Sequence, residues 1–260
     1  MAATQQGKVV LVTGASSGIG AGTAIHMARL GCSLALTGRN EENLLKTVKK
    51  CEEEGIPKEQ IFTIIADLAH EEETKKVMEQ TIEKFGKLDV LINNAGIVET
   101  GTIETHTLEQ YDRVMNINTR AVFYLTQLAI PHLTKTKGSI VNVSSITGSR
   151  SFAGVLGYCM SKAAIDQFTR CTALELAPKG IRVNAVNPGV ITTEIHKRGG
   201  MNEEQYQQFL ERTKTTHALG RPGEVNEVAQ MIVFLAFDTA SYITGTTIPI
   251  DGGRHAMCPR

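Results

Sequence analysis

A β-branched run at residues 8–13 ends in Gly14-Ala-Ser-Ser-Gly18-Ile-Gly20, and a helical pattern begins at residue 21. A strand that turns through glycines straight into a helix commits a chain to alternating α and β elements. Missing side chains let backbone amides and a helix N-terminus come close to a diphosphate. Gly14, Ser16, Ser17, Gly18, Ile19 and Gly20 are therefore candidate nucleotide contacts, the alternative being a turn that only packs. The GxxxGxG spacing differs from GxGxxG, and no Lys-Ser/Thr pair follows, which argues against a kinase or ATPase.

The alternation continues along the chain. Strand patterns at 33–37, 61–66, 90–92, 139–143, 181–186 and 246–250 are separated by helical patterns at 41–54, 71–85, 109–133, 158–176 and 225–237. In the 41–54 helix Leu44, Leu45 and Val48 are read as inward. About seven parallel strands need helices on both faces, which predicts a Rossmann-like, doubly wound α/β sandwich. A closed eight-stranded barrel is the rival, disfavoured by the glycine turn after the first strand. With 260 residues and 42% hydrophobic content, one domain accounts for the whole chain and leaves no separate substrate domain.

The 27 Lys+Arg balance 27 Asp+Glu, so no net charge draws the protein to nucleic acid or an anionic membrane. No apolar run approaches the roughly 20 residues that span a bilayer. The N-terminus lacks a basic leader followed by a long apolar stretch, so secretion is not expected. Five cysteines, Cys32, Cys51, Cys159, Cys171 and Cys258, form no CxxC pair and fit a reducing, cytoplasmic compartment.

The second strand ends in Thr37-Gly38-Arg39-Asn40 where an acidic residue often accepts the ribose hydroxyls of NAD. Arg39 can instead meet a 2′-phosphate, which favours NADP(H) over the alternative NAD(H), or it is an ordinary surface arginine. Asp67 and Leu68 follow the third strand; Asp67 can accept from an adenine amino group or cap the chain from Ala69 onward.

Tyr158-Cys-Met-Ser-Lys162 carries the chemistry. The i,i+4 spacing puts Tyr158 and Lys162 on one helical face, and Ser145, at the end of a different strand, can join them at the sheet edge. A carbonyl that receives hydride develops oxyanion character, so Ser145 can donate to it while Tyr158 supplies the proton. A phenol has a pKa of about 10, and the Lys162 ammonium is expected to favour phenolate and to hold nicotinamide-ribose hydroxyls.

The ordered set Thr13–Gly20, Asn93-Asn94-Ala95-Gly96, Asn118, Ser145, Tyr158-x-x-x-Lys162 and Pro188-Gly189 resembles the short-chain dehydrogenase/reductase family over nearly the whole length. The resemblance implies reversible carbonyl–alcohol conversion, with Ser145, Tyr158 and Lys162 catalytic. It also implies that Asn118 supports a proton-relay water through the helix backbone. Asn94, Ala95 and Gly96 would pass close to the cofactor, or serve only the sheet. Pro188, Gly189, Ile191 and Thr193 match the nicotinamide-side loop, and the Arg39 turn matches NADP-preferring members. A homotetramer or homodimer is implied, with the Arg254–Arg260 tail reaching an interface.

Substrate choice is expected from residues 97–101, 146–156 and the segment after Thr193. A lid helix at 203–212 offers Tyr206, Phe209 and Leu210 either to the pocket or to packing, with Gly199 and Gly200 as hinges. The apolar surroundings point to a small-molecule ketone or aldehyde, or its alcohol; 3-oxoacyl, steroid and quinone substrates stay open. Arg150, Lys197 and Arg198 keep acidic substrates in play. His196 and His217 belong to no spaced ligand cluster, so no metal is expected. The rival to a working enzyme is a cofactor-binding protein with little turnover.

Overall fold

A computed structural model describes residues 5–257; Cys258 and the end of the tail after Arg254 lie outside the described residues. Seven strands, β1 (Val9–Thr13), β2 (Ser33–Gly38), β3 (Ile61–Ile65), β4 (Val90–Asn93), β5 (Ser139–Val143), β6 (Arg182–Pro188) and β7 (Thr247–Ile250), form one parallel sheet in the order β3-β2-β1-β4-β5-β6-β7. It is the doubly wound sandwich expected from the alternation, not a barrel.

Period-two alternation in buried strands feeds two cores. Val10 and Val12 of β1, with Val90 and Ile92 of β4, face α1 (Gly18–Arg29), α2 (Glu41–Glu53) and α10 (Val225–Ala236). Val9, Leu11 and Leu91 face α3 (Glu71–Phe85), α5 (Ala121–Thr136) and α6 (Leu156–Leu176). Burying both faces excludes water from the sheet, which is what a parallel sheet requires. In α2 the inward side chains are Leu44, Thr47, Val48 and Cys51; Leu45 is 53% exposed, contrary to expectation. It sits about 100° around the helix from Leu44, off the i, i+3, i+4, i+7 stripe.

The single helix expected at 109–133 is instead α4 (Leu108–Met115) and α5 joined by one wider turn, Asn116–Arg120, where Ala121 N–H donates to Asn116 O. An extra residue in that turn leaves no mark in hydrophobic periodicity, and such bulges cluster near functional sites. Beyond β6, two short helices were not expected: α7 (Ile195–Arg198) and α9 (Thr213–Thr216) flank α8 (Glu203–Glu211), the anticipated lid helix.

The chain runs outward from β1 to β3, then returns to place β4 on the other side of β1. Loops leaving β1 and β4 therefore diverge to opposite faces and open a crevice at the carboxyl edge, the usual ligand position in such sheets.

Candidate active site

Thr13 closes the floor of the crevice. Its hydroxyl donates to Ile92 O at 3.2 Å and accepts from Asn94 N and Ala95 N, each at 2.9 Å. Asn94 Nδ2 donates to Thr13 O at 2.8 Å and Gly14 O at 3.2 Å, so the glycine turn and the end of β4 are sewn together. A Cβ on Gly14 would lie 2.8 Å from Asn94 Nδ2 and 2.9 Å from Ala95 Cα, and one on Gly20 would collide with Asn94 Nδ2 and Gly14 O. Ser17, the residue before α1, makes no side-chain cap, leaving the helix N-terminus open toward the crevice.

That crevice is a cleft of about 900 Å³, and it brings almost all of the expected site residues together. Gly14, Ser16, Ser17, Gly18 and Ile19 line one end with Arg39, Asp67 and Leu68. Asn94, Ala95 and Gly96 line the middle, and Pro188, Gly189, Ile191 and Thr193 the side facing Ser145, Tyr158 and Lys162. Gly20 and Asn118 are not on its wall. Gly20 is where α1 packs on the turn. Asn118 is buried behind the wall, accepting from Ile97 N at 2.9 Å and donating to Ile97 O at 2.9 Å and to Ser161 Oγ at 3.0 Å. Its side chain thus fixes the loop after β4 to α6.

Both alternatives for Asp67 can be compared directly. Oδ1 accepts from Ala69 N at 3.0 Å, the capping contact, while Oδ2 lies 3.5 Å from Arg39 Nη1 in an ion pair largely open to water.

Ser145 Oγ accepts from Thr147 N at 3.2 Å and neighbours the Tyr158 hydroxyl in the same cleft. Lys162, one turn after Tyr158, is held at both ends by the end of β5. Its Nζ donates to Val143 O at 2.8 Å, and its backbone carbonyl accepts from Ser144 Oγ at 3.2 Å. Nζ stands 5.6 Å from the centre of the Tyr158 ring. Burial pushes the Tyr158 hydroxyl up to about 12, with the neighbouring Ser145 hydroxyl opposing the rise. Burial likewise pushes Lys162 down to about 8, with Asp166 pulling it back. Loss of hydration favours the uncharged form of each group.

Sequence reasoning missed Asp166 and Asn187. Asn187 Nδ2 donates to Ser145 O at 2.9 Å and to both Asp166 oxygens at 3.0 and 2.9 Å, so a buried carboxylate on α6 anchors the strand end that carries Ser145. Burial raises the Asp166 carboxyl above its ordinary value, the neighbouring Ser144 hydroxyl and the Asn187 amide opposing the rise. The available signal was the i,i+4 step from Lys162, which continues the Tyr158 face.

Two expected substrate loops are stapled to each other: Gly101 N donates to Gly154 O at 2.8 Å, and Leu156 N to Gly101 O at 3.3 Å. In the lid, Tyr206 turns away from the cleft; its hydroxyl donates to Thr193 O at 3.0 Å and accepts from Thr193 N at 3.2 Å. Phe209 does line the cleft, stacked 4.6 Å from the ring of His196, whereas Leu210 does not. Gly199 permits close packing, since a Cβ there would lie 2.7 Å from Val98 Cγ1. Among the described residues no three His, Cys, Asp or Glu side chains cluster as metal ligands, and no helix is long and apolar enough to cross a membrane.

A glycine-lined anion cradle and a Ser-Tyr-Lys group in one cleft define a dinucleotide-linked oxidoreductase. Comparison with known proteins agrees. Residues 14–255 match the family model described as enoyl-(acyl carrier protein) reductase. The chain is 41% identical to a 3-oxoacyl-[acyl-carrier-protein] reductase of Thermotoga maritima, over 95% of this chain and 98% of that one. It is 34% identical to a meso-2,3-butanediol dehydrogenase of Serratia marcescens, over 96% and 95%. A short-chain dehydrogenase/reductase of unknown function from Caenorhabditis elegans, solved with cofactor, superposes with a TM-score of 0.92 at 37% identity, covering 97% of each chain. The chain belongs to the short-chain dehydrogenase/reductase family, whose members bind NAD(P)(H) and act between carbonyl and alcohol groups.

Proposed function

We propose that the chain is an NADP(H)-dependent reductase that reversibly converts a relatively apolar ketone or aldehyde to its alcohol. The observation that carries this reading is the convergence of Ser145, Tyr158 and Lys162, the last with Nζ 5.6 Å from the Tyr158 ring, on the same cleft as the glycine cradle. When bound, the dinucleotide supplies hydride to a carbonyl carbon or takes it from the alcohol.

The residues then divide the work. Thr147 N–H occupies a lone pair of Ser145 Oγ, leaving the Ser145 proton to donate to a carbonyl oxygen. Tyr158, neutral near pH 7, gives that oxygen its proton. Lys162 and the Asn118-held wall orient the ribose and carry protons onward. Gly14, Ser16, Ser17, Gly18 and Ile19 receive the diphosphate, with Gly20 keeping α1 close. Leu68, Asn94, Ala95, Gly96, Pro188, Gly189, Ile191 and Thr193 wall the nucleotide.

NADP(H) is preferred because β2 ends without a carboxylate and because Arg39 is weakly engaged. An exposed pair with Asp67 at 3.5 Å contributes about 0–1 kcal/mol, little for a 2′-phosphate to displace. A 3-oxoacyl substrate is the second reading, favoured by the Thermotoga maritima relative. A homodimer or homotetramer, working in the cytoplasm, completes the proposal; Phe123, 56% exposed and 6.1 Å from Phe168, gives α5 and α6 an apolar outer face.

The test is NADPH consumption by purified protein over aldehydes, ketones, quinones and 3-oxoacyl thioesters, with product identification. Turnover abolished in Tyr158→Phe supports the reading; nucleotide binding with no turnover of any carbonyl overturns it in favour of a regulatory binding protein.

A further inference from the structure

The end of the cleft away from Arg39 carries arginines that no carboxylate contacts among the described residues. Among the described residues lining the cleft, Asp67 is the one carboxylate, and it sits at the Arg39 end. Arg212, Arg254 and His196 line the other end. The Arg254 guanidinium lies 4.6 Å over the ring of Phe152, on the loop that leads into α6 and Tyr158. Neither Arg212 nor Arg254 has a side-chain ion pair or hydrogen bond among the described residues. After burial, Arg212 lowers Arg254 while Asp251 raises it, and Arg254 lowers His196 and His217.

The carboxylate nearest in sequence, Asp251, is already committed. It accepts from Gly253 N at 3.0 Å, from His255 N at 2.6 Å and from His255 Nδ1 at 2.9 Å. Other cations of the lid are committed too. Lys197 pairs with Glu203 at 2.8 Å and stands 4.8 Å over the Tyr206 ring, and Arg198 donates to Ser17 Oγ at 3.0 Å. A half-buried guanidinium fixed on an aromatic face, with a second one beside it and no carboxylate in contact among the described residues, is a costly arrangement for a wall meant to meet only apolar groups.

We propose that Arg254, assisted by Arg212, binds a carboxylate carried by the carbonyl substrate, so that the substrate is an oxo acid with an apolar middle. This rests on the carbonyl-reductase reading above. The rings of Phe152, Phe209 and His196 line the cleft beside the two arginines and meet the apolar middle. The fork of Arg254 holds the acid bidentately, and Ser145 and Tyr158 meet the carbonyl at the other end.

Two measurements decide it. In turnover, matched oxo acids and their methyl esters of increasing chain length are compared in wild type, Arg254→Met, Arg254→Lys and Arg212→Gln. The acid-over-ester ratio of kcat/KM should exceed one in wild type, fall roughly 10- to 100-fold in Arg254→Met, and recover in part in Arg254→Lys. Without turnover, calorimetric titration of the NADP-loaded protein with hexanoate and hexanamide should show hexanoate alone binding, and weaker in either arginine variant. An unchanged acid-over-ester ratio, equal binding of hexanoate and hexanamide, or a parallel loss of NADP binding in Arg254→Met would overturn the assignment. If no carbonyl compound is turned over, the reductase reading fails while the hexanoate titration still decides Arg254.

Discussion

Lys162→Met should make the apo protein more stable while removing its activity. The wild-type ammonium is buried, and the loss of water around it pushes its pKa down to about 8. Against an unfolded lysine near 10.4, that gap corresponds to about 3 kcal/mol of destabilisation when the group is charged in both states. Methionine removes this cost and keeps the volume, but gives up the 2.8 Å hydrogen bond to Val143 O, worth about 1 kcal/mol. The net expectation is a gain of about 2 kcal/mol at pH 7.

The sign of the pH dependence follows. Below about pH 8 the lysine is charged in both states and the full cost is present. Between there and the unfolded pKa the unfolded chain binds more protons, so wild-type stability rises with pH relative to Lys162→Met. Above both values the advantage of the variant is gone. Urea unfolding of both proteins without nucleotide, at pH 7 and near pH 10, measures the difference at fixed m. A variant less stable at pH 7, with a gap that does not change between the two pH values, would refute the reasoning. A confirmed gain would show that this lysine is retained for chemistry at the expense of folding.

Other outcomes can be checked with fewer steps. Tyr158→Phe should lower kcat roughly 10²- to 10⁴-fold with nucleotide Kd unchanged, read by steady-state kinetics and fluorescence titration. Because burial holds Tyr158 up to about 12, alcohol oxidation should keep accelerating into the alkaline range while reduction does not; a flat oxidation profile above pH 8 would count against it. Arg39→Gln should reduce the NADPH-over-NADH ratio of kcat/KM by roughly 10-fold or more, and an unchanged ratio would remove Arg39 from cofactor choice. Asp166→Ala leaves the Asn187 amide without its carboxylate, costing about 1–3 kcal/mol of stability. Its kcat should fall more than its nucleotide affinity, because the slack is transmitted to Ser145.

What the sequence disclosed was whatever chain-local spacing encodes. The glycine turn, the strand–helix alternation and the Tyr158–Lys162 step are each set by a few consecutive residues, and each was legible. The wide turn at Asn116–Arg120 was not, because one additional residue leaves the apolar pattern of a long helix intact. Leu45 was misplaced because Leu44 and Leu45 are equally apolar and only the stripe of Thr47, Val48 and Cys51 tells them apart. Asp166 meets Asn187 across two elements, and Arg254 meets Phe152 from about a hundred residues away in the chain; such contacts exist only once the sheet has formed.

The two-point clamp of Tyr206 on Thr193 bears on the order of binding. One hydroxyl grips both the N–H and the carbonyl of Thr193, so the loop proposed to wall the nucleotide and the α8 helix are mechanically one piece. Loading the nucleotide then stiffens the roof before any substrate arrives, which makes compulsory-order kinetics the natural regime, cofactor on first and off last. Slower amide exchange across Glu203–Glu211 with nucleotide alone, and random-order product inhibition in Tyr206→Phe, would register that coupling.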